Sequence, residues 1–125
     1  MKKLILLSFL ILSSGFIITS CKNKDESIAK IFVRNSNSQL IRDAQVVIIA
    51  DVNSDPATPE YVDTMQTNES GFASFDLERL FDQYGKKDDK VAFFDIIVKF
   101  DDKQANGEIK ARANITAVET IALPQ

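Results

Sequence analysis

Three oxygen-bearing side chains recur at alternate positions in Asp51-Val52-Asn53-Ser54-Asp55, and Glu60 follows them. That spacing starts to gather the six to eight oxygens that calcium takes. The usual calcium loop would then need Gly where Pro56 stands and Glu where Val62 stands. Asp51, Asn53, Asp55 and Glu60 are therefore the candidate metal ligands, and a calcium-dependent adhesion module is the function they would serve. The competing reading is a turn made of its usual residue types. The paired carboxylates Asp88-Asp89 and Asp101-Asp102 are the acid–base candidates. Adjacent side chains on loops seldom converge on one substrate, so solvated turns are expected there.

Composition removes most other chemistry. The 125 residues include no His, no Trp and one Cys, Cys21. A single Cys excludes an internal disulfide. Without His there is no Ser-His-Asp or Cys-His catalysis, and no zinc site of the usual His/Cys type. No enzyme activity and no resident cofactor are expected. Acidic residues outnumber basic ones, 18 to 15. The tract Lys86-Lys87-Asp88-Asp89-Lys90 is mixed in sign. An acidic chain without a basic cluster is not a nucleic-acid binder, because phosphate neutralisation needs grouped Lys and Arg.

Cys21 has a different use. Lys2 and Lys3 precede an uncharged stretch from Leu4 to Ile18, rich in Leu, Ile and Phe. At about 1.5 Å per residue it is short for a membrane-spanning helix, and its flanks fit a signal peptide. Ile18-Thr19-Ser20-Cys21 resembles the lipobox of bacterial lipoproteins: an aliphatic residue, two small residues, then Cys. The resemblance implies diacylglycerol on the Cys21 thiol and cleavage of residues 1–20. A membrane is then the first partner. The tract Lys24-Asp25-Glu26 resembles the export signal of surface lipoproteins in the Bacteroidota and implies an outer-membrane location on the cell surface, with the periplasmic face as second choice. Residues 21–27 would form a tether reaching only about 20 Å, which keeps the domain near the membrane. Asp63-Thr64-Met65 resembles the short O-glycosylation acceptor of the same group, which makes Thr64 a candidate modification site.

Residues 28–125 must supply the folded domain. Alternation predicts strands over 29–34, 44–50, 61–67, 72–76, 91–100, 108–115 and 116–123. Ala44, Val46, Ile48 and Ala50 share one face of the second, while Val47 and Ile49 make its other face apolar too. Such a strand needs a central position or a cover. Leu77, Leu80, Phe81 and Tyr84 recur at helical spacing, with Asp76 placed to cap the start and Gly85 the end. The expected fold is mainly β, a seven-stranded antiparallel β-sandwich with one short helix.

Two segments resemble the transthyretin-like, or prealbumin-like, sandwich of carboxypeptidase regulatory-like domains. They are Leu40-Ile41-Arg42-Asp43-Ala44-Gln45-Val46 and Thr67-Asn68-Glu69-Ser70-Gly71-Phe72-Ala73-Ser74-Phe75. Asp43 stands where Gly is commoner. The Leu77–Tyr84 pattern replaces the family's Pro-x-Gly-x-Tyr step. The fold includes a hydrolase of 5-hydroxyisourate, but that activity uses His, which this chain lacks. The expected function is a non-catalytic, membrane-anchored envelope lipoprotein that binds or scaffolds a protein or glycan partner.

Overall fold

A computed structural model describes residues 25–85 and 90–125. Cys21, Lys24, the segment 1–20 and the pair Asp88-Asp89 lie outside the described residues. The elements run β1 (Ile28–Arg34), β2 (Gln45–Ala50), β3 (Val62–Gln66), β4 (Phe72–Asp76), α1 (Glu78–Asp82), β5 (Val91–Phe100), β6 (Lys103–Arg112) and β7 (Thr116–Ala122). They form two sheets. One has three strands in the order β4-β1-β7, the other four in the order β3-β2-β5-β6.

The period of two decides which side chains enter the space between the sheets. Ala29, Ile31 and Val33 of β1 are buried, as are Val46 and Ile48 of β2 and Ala92, Phe94, Ile96 and Val98 of β5. With Ala73 and Phe75 of β4 they form one core cluster. Leu77, Leu80 and Phe81 join the same cluster. The helix therefore plugs the core instead of covering a sheet from outside. β2 is an interior strand, and Val47 and Ile49 stay half-buried on the outer face beside Phe93 and Ile97 of β5. Asp76 accepts the Glu78 N–H at 3.0 Å, although Leu77 holds the N-cap position. Gly85 follows the helix with φ +69°.

The fully antiparallel sandwich is corrected in one place. β1 and β7 run parallel, with Ile28 beside Thr116 and Arg34 beside Ala122. The reason is the path of the chain. β6 ends close to where β1 begins, and the turn at 113–115 crosses to the other sheet there, so β7 sets out along β1. The predicted strand at 108–115 is also displaced. β6 starts at Lys103, paired with Phe100 across the two-residue turn Asp101-Asp102, and stops at Arg112. Asn114 has φ +63°, which breaks the strand before Ile115.

The connection from β3 to β4 passes through Gly71, with φ +78°. A Cβ built there would lie 2.6 Å from the Leu40 Cβ. Both the left-handed backbone and this approach require glycine. Gly71→Ala should cost about 1–3 kcal/mol. The denaturant midpoint of the variant checks this, and an unchanged midpoint would contradict it.

Candidate functional site

Buried polar side chains show which loops are fixed. Among the described residues they are Ser27, Thr58 and Thr67. Ser27 directly precedes β1. Its N–H donates to Glu78 Oε1 at 2.7 Å, its carbonyl accepts the Leu77 N–H at 2.8 Å, and its hydroxyl accepts the Asn114 N–H at 2.7 Å. The chain leaving residue 27 is thus bonded to the start of the helix and to the 113–115 turn. Asp25 and Glu26 just before it are exposed. Nothing in the sequence pattern marked Ser27, because its partners lie 51 and 87 residues away.

The candidate calcium loop lies at the same end of the sandwich, between β2 and β3. Asp51 is half-buried, and Asn53, Asp55 and Glu60 are exposed. Two of the three Asp51 oxygens, Oδ1 and the backbone carbonyl, serve the turn. Its Oδ1 accepts the Asn53 N–H at 3.0 Å, and its carbonyl accepts the Ser54 N–H at 3.2 Å and the Ser54 hydroxyl at 2.8 Å. Thr58 packs the loop against β5 by accepting the Phe93 N–H at 2.9 Å. No group of three His, Cys, Asp or Glu side chains able to hold a metal occurs among the described residues. The geometry is that of a loop held by turn bonds.

Asp101 and Asp102 form the exposed tip of the β5–β6 hairpin, with Asp101 at φ +53°. Thr64 is exposed on β3, an edge strand, and its N–H donates to Asp63 Oδ1 at 2.8 Å. That bond occupies a backbone donor at the open edge, a protection against unwanted strand pairing.

Two open grooves cross the outer face of the four-stranded sheet. One, of about 310 Å³, is lined by Asp51, Phe93, Asp95, Glu108 and Lys110 among others. The other, of about 710 Å³, includes Ile49, Asp95, Ile97, Asn106 and Glu108. Asp95 stands opposite Glu108 in the register, so two carboxylates share the ridge between the grooves. Sequence alternation placed each residue on its strand but not their pairing, which depends on the β5–β6 turn.

Among the described residues Tyr61 is the most perturbed titrating group. Burial, and then the nearby charge of Asp63 with the hydrogen bond from the Tyr61 hydroxyl to Asp63 Oδ2 at 3.2 Å, push its pKa up to about 12. Burial also raises Tyr84, whose hydroxyl donates to the Val91 carbonyl at 2.9 Å. The folded state favours protonated Tyr61. Its contribution to stability is whole below the ordinary value of 10 and is lost as pH rises toward about 12. Unfolding should therefore become easier across that window, and Tyr61→Phe should flatten the dependence. Denaturant midpoints measured through the alkaline range check this; equal slopes in the two proteins would contradict it.

No protein-family model matches the chain, and no curated protein is significantly similar to it.

Proposed function

We propose that this chain is a non-catalytic envelope lipoprotein whose β-sandwich binds or scaffolds a protein or glycan partner at the outer membrane, on its cell-surface side. Lipid on Cys21 holds it there, with residues 21–27 as the tether. The observation that carries this reading is the root of the tether. Ser27 is fixed by three hydrogen bonds only six residues after the lipobox Cys. A domain joined so closely to a lipid stays within about 20 Å of the bilayer and acts on what reaches that surface. The lack of His, and a lone thiol committed to the anchor, fit recognition better than turnover.

The finer assignment to a transthyretin-like sandwich belongs to the same proposal. It is supported by the three-plus-four arrangement of strands. It is also supported by the two quoted segments, which lie against each other: Thr67 bonds to both Ile41 and Ala44. Asp43, which stands where Gly is commoner, has φ +62°, the region that favours glycine.

Cross-linking of intact cells followed by recovery of the mature chain tests the binding role. A discrete protein or glycan joined to the sandwich is the expected result. Recovery of the chain alone, from cells in which it is abundant, would count against it.

A further inference from the structure

The outer face of the three-stranded sheet is unlike the rest of the surface. Its register sets Val118, Lys30 and Ser74 in one row, and Thr120, Phe32 and Phe72 in the next. Val118 is 57% exposed. Phe32 and Phe72 are half-buried, with ring centroids 5.3 Å apart. The Lys30 ammonium lies 3.9 Å from the Phe72 centroid and 5.3 Å from that of Phe32. Arg34 extends the face, and Asp76 is the one acid on these strands' outward positions. Residues 25–125 as a whole carry 18 acidic and 11 basic side chains, so a face with more cations than anions is a local reversal. The outer face of the other sheet instead sets Lys99 and Lys110 against Asp95 and Glu108.

The tether enters this same sheet. Ile28, the first residue of its central strand, follows directly on Ser27. Five residues separate Ser27 from Cys21, a reach of about 20 Å over six steps, so the face nearest the chain's exit can meet the surface that holds the lipid. An exposed aliphatic group and half-buried aromatic rings beside Lys and Arg suit the boundary between headgroups and acyl chains.

We propose that the outer face of β4-β1-β7 lies on an anionic, phosphate-bearing lipid surface, with Lys30 and Arg34 on lipid phosphates and Val118, Phe32 and Phe72 against the acyl boundary. This rests on the lipid anchor proposed above and adds an orientation to it. The opposite sheet, with its two grooves, is then turned away from the membrane and left open to a partner.

The test uses the mature chain purified from membranes, with its mass at Cys21 measured first. Cys21 is the only cysteine and is blocked when lipidated, so Thr120→Cys or Asn106→Cys gives one labelling site on each outer face. The chain is reconstituted in vesicles of phosphatidylethanolamine and phosphatidylglycerol. The probe at position 120 should be shielded from acrylamide and the probe at 106 should not. Lys30→Glu with Arg34→Glu should remove the shielding, each reversal weakening the contact about fivefold or more. Equal access of acrylamide to both probes in a lipidated chain would overturn the orientation and leave the anchor intact. Shielding at 120 without vesicles would show contact with protein and would overturn it too. If the mass shows a free thiol, the anchor fails, and the unlipidated chain tests the face alone. Its binding to the same vesicles should then fall at least about tenfold with the double substitution, and no binding would overturn the inference.

Discussion

Cys21→Ser should abolish lipid attachment completely. A hydroxyl does not replace the thiol in forming the thioether to diacylglycerol, and cleavage after Ser20 depends on that lipid in the lipoprotein pathway the lipobox implies. The variant should therefore keep residues 1–20, lose incorporation of an alkyne-tagged fatty acid, and disappear from the outer-membrane fraction. The fold should survive, since the described domain begins after the tether and its core uses nothing before Ala29. Growth with the tagged fatty acid and fractionation of the envelope check both parts. Unchanged labelling of the variant would show that lipid, if present, sits elsewhere.

Thr67→Val should be the most damaging single substitution outside the apolar core. Thr67 is 2% exposed and fastens the 41–44 segment to the end of β3. Its hydroxyl donates to the Ile41 carbonyl at 2.7 Å and accepts the Ala44 N–H at 2.9 Å. Its own N–H donates to the Ala44 carbonyl at 2.8 Å, and its carbonyl accepts the Asp43 N–H at 3.0 Å. Valine keeps the shape and the two backbone bonds but strands a buried donor and a partly buried acceptor. The buried Ala44 N–H costs about 1–3 kcal/mol when unpaired and the partly buried Ile41 carbonyl less, so a loss of about 2–4 kcal/mol is expected. In a domain of this size that lowers Tm by roughly 10–25 °C. Thr67→Ser keeps the hydroxyl and should lose much less. Thermal unfolding of the two variants decides; a Tm for Thr67→Val equal to or above that of Thr67→Ser would contradict the dominant role of the hydroxyl.

Much of this fold is legible in its residues, and what is not has a physical cause. In Val91–Phe100 the charges of Asp95 and Lys99 fall on one face and so mark the other as the face that meets the core. Gln45–Ala50 is apolar on both faces, so its buried side is decided by its pairing with β5. The Leu77, Leu80, Phe81 spacing identifies a helix, but periodicity does not say which apolar surface it meets. Packing sends its buried side chains, Leu80 and Phe81, into the core cluster shared by the two sheets. The first half of β6, Lys103 to Gly107, has little apolar alternation of its own. It is a strand because a tight turn lays it beside β5. The parallel β1–β7 pair is equally invisible to local pattern, since it joins segments from opposite ends of the domain.

The site divides in the same way. The lipobox resemblance is local, carried by the consecutive residues Ile18-Thr19-Ser20-Cys21, and needs no fold to be seen. Ser27, the Asp95–Glu108 pair and the Lys30–Phe72 stack are made by register and by contacts distant in sequence. The Asp51–Asp55 spacing shows the opposite case: a local pattern that suggests calcium, in a loop where Asp51 Oδ1 and the Asp51 carbonyl serve turn bonds.

Cys21 remains the residue on which the functional reading turns, and the mass of the mature amino terminus tests it most directly. The expected species lacks residues 1–20 and begins at a Cys21 carrying diacylglycerol on sulfur. A chain of any length with an unmodified thiol at Cys21 would contradict the anchor and the membrane-bound role built on it.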